Sequence, residues 1–251
     1  MAEIVDLADK IKRYFMFTPL EIRSLITAVL VTAFVFSFRE WGYGDDFSLR
    51  VGFFNYFNAI LIVALSFLIH MSVQRVWSLA TGYRVEWKMW TFGLLFSLIM
   101  AFLTNGAIWL ILPGGFFIHH MAGHRLGWFR YDINYWALGL IAVTGTFATI
   151  FFAALFKALG VFAANSLIEK LITFNIAYAL YSLIPLPPLD GSRTFYGSRM
   201  LYAFSTAFIL AAAILLSSNI GVGIALLSSF FIGAALWVLY YIFFEADAWK
   251  Y

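Results

Sequence analysis

Hydrophobic positions in this chain come in long, nearly uninterrupted runs, and polar positions are gathered into short clusters between them. A bilayer crossing needs about 20 mostly apolar residues. Stretches of that kind run from about Leu20 to Phe38, Phe53 to Ala80, Trp87 to Leu112, Tyr135 to Leu159, Asn165 to Ile184, Met200 to Ser217 and Val222 to Phe244. Thr18-Pro19-Leu20-Glu21 opens the first as a capping box with proline at the first helical position. Ahead of it, Ile4, Leu7, Ile11 and Phe15 recur at helical spacing among charges, which predicts an interfacial helix over residues 1–17. Asn55 and Asn58 read as caps at the start of the second run. There is no internal repeat and no linker, so residues 1–251 read as a single transmembrane domain.

The third run differs from the rest, because Asn105-Gly106 interrupts it and Pro113-Gly114-Gly115 ends it. If all seven runs cross, basic residues divide almost evenly between the two sides. If the third dips in and returns, Arg125, Arg130, Arg193, Arg199 and Lys250 join Lys10, Lys12, Arg13, Arg23, Arg75, Arg84 and Lys88 inside. Only Arg39, Arg50, Lys157 and Lys170 then remain outside. The positive-inside rule favours the second arrangement, and Asn-Gly is a natural turn for the tip. The expectation is an all-α polytopic protein with about six spans, a re-entrant hairpin and both termini cytoplasmic.

Composition agrees with the pattern. Hydrophobic residues make up 63% and charged residues 12%, against roughly 45–50% and about 25% in soluble domains. The net charge of +3, without a basic run, gives no footprint for nucleic acid. With no cysteine there is no disulfide, thiolate metal site or cysteine nucleophile. Neither inverted repeats nor several intramembrane charges point to a transporter.

Against this background two ionisable groups stand out. His70 lies deep in the second run with Gln74 four residues on, so both project from one helix face. They read either as a site or as a polar pair bonded between helices. Asp190 follows Pro185-Leu186-Pro187-Pro188-Leu189, through which no helix continues, so an extended, broken span end is expected. Asp190-Gly191 is then an interfacial turn or a carboxylate on a stiff mount, and Arg193 could pair with it. In the six-span arrangement His70 and Asp190 fall on the same side.

The chain resembles the site-2 protease family of intramembrane zinc metalloproteases (peptidase M50) over roughly residues 61–199. Pro185-Leu186-Pro187-Pro188-Leu189-Asp190-Gly191 looks like that family's Leu-Asp-Gly motif and its preceding prolines. His70-Met71-Ser72-Val73-Gln74 lies where the family carries His-Glu-x-x-His, Thr81-Gly82-Tyr83-Arg84-Val85 resembles the following turn, and Gly145 to Thr149 takes the place of a Gly-Pro-x-x-Asn motif. The resemblance implies metal-ligand positions at His70 and Asp190, with Gln74 at the missing ligand position. Met71 stands at the general-base position and cannot take a proton, so no catalytic residue is assigned. Ser182 and Thr149 stand where the family has asparagines.

A zinc hydrolase of this type needs a second imidazole and the glutamate beside the first. The resemblance therefore implies a pseudoprotease without a cofactor, set in the lipid bilayer of a prokaryotic, more specifically archaeal, plasma membrane. It would bind or regulate transmembrane helices of client proteins. The alternative is an active zinc enzyme with an atypical site. His119, His120 and His124 are a rival set of metal ligands, since His120 and His124 have i,i+4 spacing. Glycines 114, 115, 123 and 127 oppose a helix there, however, and an interfacial loop is the plainer reading.

Overall fold

The computed structural model describes residues 2–42, 47–121, 133–160 and 165–246. The chain forms two compact units, Met1–Asp132 and Ile133–Tyr251.

The first unit begins with α1 (Ala2–Tyr14), an amphipathic helix tied along its polar face by Asp6–Lys10 and Asp9–Arg13 pairs at i,i+4 spacing. α2 (Pro19–Ser37) starts at the expected capping box. Glu21 N–H donates to Thr18 Oγ1 at 3.2 Å, and Thr18 N–H donates to Glu21 Oε2 at 2.7 Å. A 3₁₀ turn over Phe38–Trp41 follows. α3 spans Leu49–Ala80. It begins before the expected start at Phe53, so Asn55 and Asn58 lie inside it and cap nothing. Asn55 instead donates to the Glu40 carbonyl at 3.3 Å.

β1 (Tyr83–Met89) follows a turn at Thr81-Gly82, then come α4 (Thr91–Leu103) and β2 (Gly114–His120). The strands pair antiparallel, with Met89 opposite Gly114 and Tyr83 opposite His120. The third apolar run thus leaves at residue 89 and returns beside its point of departure. α4 stops at Asn105-Gly106, where both residues take positive φ (48° and 71°) and Gly106 N–H closes on the Ala101 carbonyl at 2.7 Å. This two-stranded sheet amends the all-α expectation. A chain that turns back at both ends of a short helix must satisfy its exposed backbone groups, and the strands do so by pairing.

The second unit comprises α5 (Tyr135–Gly160), α6 (Ser166–Ser182), α7 (Asp190–Gly197), α8 (Arg199–Ser217) and α9 (Val222–Tyr240), which ends in a π-helical turn over Tyr241–Glu245. Its core is Ile150, Ala153, Ala154, Ile176, Ala179, Leu183, Phe208, Ile209, Ala212 and Ala213, with Ala225 from α9. The alanines let helix backbones approach closely where lipid offers no competing hydrophobic drive. α9 buries only Ala225, Ser229 and Gly233, one residue per turn toward α8, and presents Leu227, Phe230, Phe231 and Leu236 outward.

Five helices among the described residues are long and apolar enough to cross a membrane: α2 with its 3₁₀ turn, α3, α5, α8, and α9 with its π turn. The protein is a largely helical integral membrane protein. α6, expected as a span, has 17 residues and carries Glu169 and Lys170 near its start, which puts it at the short limit of about 17–25 residues.

Candidate functional site

The central segment of α3 carries two adjacent buried stripes. Ser66, His70, Gln74 and Ser78 follow one another every four residues, as do Phe67, Met71, Arg75 and Leu79, and all are buried. Ser66 donates to the Ile62 carbonyl at 2.7 Å and Ser78 to the Arg75 carbonyl at 2.8 Å, so these hydroxyls are satisfied within their own helix. His70 and Gln74 therefore share a buried face, as their spacing predicts. Of these eight residues His70 and Arg75 are ionisable, and an ionisable group buried in a membrane helix is a candidate for function. Chemically, the face offers one imidazole and one neutral amide, and the thioether of Met71 stands directly after His70. Zinc is held by deprotonated or strongly basic donors, and this face supplies one of them.

Sequence reasoning missed what anchors this segment. Arg75 is 2% exposed and ion-pairs through Nη2 with Glu21, which is 1% exposed. Its Nη1 donates to the Met16 carbonyl at 2.6 Å and the Phe15 carbonyl at 3.2 Å, and its guanidinium lies 4.1 Å from the centre of the Phe17 ring. Glu21 Oε1 also accepts the Trp87 N–H at 2.9 Å. One carboxylate thus joins the start of α2, the C-terminal half of α3 and β1. The signal was present in Glu21, whose capping role was legible, but nothing local marks Arg75 as its partner.

In the second unit, α6 ends at Ser182 and the chain passes Ile184 to Leu189 in turns and bends. The helix is broken there as expected, and Leu189 is extended (φ −65°, ψ 159°) just before α7. Asp190, for which an interfacial turn and a stiffly mounted carboxylate were both open, is the first residue of α7 and is buried. A carboxylate at a helix start is favoured by the helix dipole. Gly191 is required by space, since a Cβ there would lie 2.0 Å from the Leu183 carbonyl oxygen. Arg193 donates to the Pro188 carbonyl and feels the charge of Asp190. Burial pulls its guanidinium below the ordinary value, and Asp190 offsets part of that shift. The Tyr178 hydroxyl on α6 also lies within electrostatic range of Asp190.

Thr149 on α5 and Ser182 on α6 are linked through Thr146. Thr146 Oγ1 and Ser182 Oγ are 3.1 Å apart, and Thr149 donates to the Thr146 carbonyl at 2.7 Å. Ser182 donates to the Ala179 carbonyl at 2.9 Å, so Thr146 is the donor in the pair. These hydroxyls satisfy one another and the backbone, with no surplus group aimed elsewhere. Thr146→Val is expected to cost about 0.5–1 kcal/mol. In a double-mutant cycle with Ser182→Ala on thermal stability in detergent, strict additivity would show that the pair contributes nothing.

The rival histidines are placed differently. His119 and His120 are consecutive on β2, so their side chains leave opposite faces. His119 Nε2 lies 3.4 Å from Glu86 Oε2, and the His120 ring meets Tyr83 edge-on at 5.3 Å. His124 lies outside the described residues. Among the described residues no group of three or more His, Asp or Glu is arranged to hold a metal ion.

No protein-family model matches the chain, and no solved structure matches it. The chain is 26% identical over 194 residues to a curated protein of the archaeon Methanocaldococcus jannaschii named "Putative zinc metalloprotease", a match covering 75% of this chain and 90% of that relative. The chain thus has a distant likeness, over three quarters of its length, to a protein that carries a metalloprotease name.

Proposed function

We propose that this protein is a catalytically inactive membrane protein of the site-2 protease type, a pseudoprotease that binds or regulates the transmembrane helices of client proteins without cutting them. The observation that carries this reading is the buried face of α3. At the positions where a hydrolase of this type needs a glutamate and a second histidine, the chain buries Met71 and Gln74. Met71 cannot accept a proton, and the amide of Gln74 is a poor zinc donor. His70 and Asp190 keep ligand chemistry, but two donors leave a tetrahedral site incomplete.

On this reading the chain is one functional membrane domain whose core is residues 61–199. α2, α3, α5, α6, α8 and α9 cross, and the α4 hairpin dips in and returns. Both termini are cytoplasmic, in the plasma membrane of a prokaryote, with an archaeon favoured by the relative's source. The pairing of β1 with β2 supports the hairpin, and the distribution of basic residues supports the orientation.

The relative's name favours a second reading: an active intramembrane zinc metalloprotease with an atypical site, using His70, Asp190 and a loop histidine. Zinc content separates the two. Protein purified in mild detergent without added metal is expected to hold far less than one zinc per chain by elemental mass spectrometry. Met71→Glu combined with Gln74→His is expected to raise that value. A transmembrane reporter helix crosslinked to the chain in proteoliposomes is expected to be recovered at full length. Near one zinc per chain, lost in Asp190→Ala, would establish the second reading instead.

A further inference from the structure

A half-open cavity of about 340 Å³ lies at the end of the β1–β2 hairpin, lined by Tyr14, Arg84, Glu86, His119, His120 and Met121. Its size falls in the range of about 300–1,000 Å³ that small ligands occupy. Arg84 and Glu86 are two apart on β1 and so leave the same face, about 7 Å apart along the strand. His119 is the register partner of Arg84 and lies on that face too. Among the described residues no carboxylate ion-pairs with Arg84. Among the described residues Glu86 pairs with the exposed His119, Oε2 to Nε2 at 3.4 Å. One wall thus presents a guanidinium and a carboxylate of opposite sign, side by side and not bonded to each other.

The surroundings are those of a membrane surface. α3 ends three residues before β1 begins, and Trp77 stands exposed in its last turns. Phe117 on β2 is exposed, with Lys88 5.0 Å from its ring centre. Tyr14 comes from the last turn of the amphipathic α1. Tryptophan, tyrosine and lysine in this arrangement mark the headgroup zone. A ligand reaching such a cavity from lipid, and answering both charges, carries a phosphate for Arg84 and an ammonium for Glu86. Arginine is well suited to the phosphate, because its fork of N–H donors matches two oxygens at once. Glu86 discriminates further. A primary ammonium donates hydrogen bonds to a carboxylate, and a quaternary one cannot.

We propose that this cavity binds a zwitterionic phospho-ammonium group, the primary-ammonium headgroup of a membrane phospholipid or its soluble phosphoethanolamine counterpart, with Arg84 on the phosphate and Glu86 on the ammonium. The site lies on the β1–β2 hairpin and uses neither His70 nor Gln74.

The test uses the full chain in mild detergent, titrated with phosphatidylethanolamine, phosphatidylcholine or phosphatidylglycerol and read by native mass spectrometry. Phosphatidylethanolamine is expected to bind at least about tenfold more tightly than phosphatidylcholine. Arg84→Gln is expected to weaken it about tenfold or more, the scale of a lost charge-assisted bond. Glu86→Gln is expected to abolish the preference for ethanolamine over choline. Arg13→Gln, on the exposed face of α1, is the charge control and is expected to change nothing. Displacement of bound lipid by millimolar phosphoethanolamine would assign the site to the headgroup from either source. Failure to displace it would assign the site to the membrane lipid. Equal affinity for the three lipids, or unchanged binding in variants with normal thermal melts, would overturn the proposal.

Discussion

Glu21→Ala is expected to destabilise the protein by about 3–5 kcal/mol, the scale of leaving one member of a buried ion pair without its partner. The carboxylate accepts from the Thr18 N–H, the Trp87 N–H and the Arg75 guanidinium, and neither it nor Arg75 reaches solvent. Alanine removes all three acceptor contacts and strands a guanidinium inside the protein. Two backbone carbonyls and the Phe17 ring still surround that guanidinium. They stabilise the positive charge but cannot neutralise it, so most of the penalty stays. Glu21→Gln keeps an acceptor oxygen and loses the charge, and should fall between wild type and alanine. Arg75→Met alone should be nearly as damaging as Glu21→Ala, because it leaves a buried carboxylate with two N–H donors but no counter-charge. Glu21→Gln combined with Arg75→Met should recover part of the loss, since removing both charges also removes both desolvation costs. Thermal unfolding in detergent, followed by loss of the monodisperse elution peak, measures the series. A Glu21→Ala variant melting within a degree or two of wild type would show that the pair is not a structural anchor.

Gly191→Ala is expected to be the most damaging single-methyl addition in the second unit. The new carbon would lie 2.0 Å from the Leu183 carbonyl oxygen and 2.7 Å from that of Ile184. Both are backbone atoms at the end of α6, so no side chain can rotate away. α7 must shift as a body, and Asp190 moves with it. Overpacking of this kind costs about 1–3 kcal/mol and sometimes more, and the fixed identity of the neighbour places this site at the upper end. Gly223→Ala, where the added carbon meets no atom within 4 Å, is the matched control and should melt like wild type. If Gly191→Ala also melts like wild type, the close packing of α7 against the end of α6 does not exist in solution.

Features whose cause lies within a few residues were legible in the chain itself. Long apolar runs select lipid as solvent wherever they fold. The Thr18–Glu21 box opens a helix because its donors and acceptors are three residues apart. Asn105-Gly106 turns the chain because those residues tolerate positive φ, and the prolines after Ile184 stop α6 because they lack an N–H. The i,i+4 spacing of His70 and Gln74 places them on one helix face whatever packs against it.

Features that join distant segments were decided only by the tertiary structure. Arg75 looked like one more inward-side charge until the fold set it against Glu21, 54 residues away. Thr146 and Ser182, 36 residues apart, became a bonded pair only when α5 packed on α6. β1 alternates apolar and polar residues from Tyr83 to Met89 and β2 does not, and only their pairing across the α4 excursion made a sheet of two segments that flank an apolar helix. Asp190 is a helix-opening carboxylate, not a turn residue, because Gly191 lets α7 begin against the end of α6. Local signals act through neighbours that the chain cannot avoid. A contact across tens of residues depends on which folded arrangement satisfies the most buried groups at once, and no short stretch of sequence encodes that.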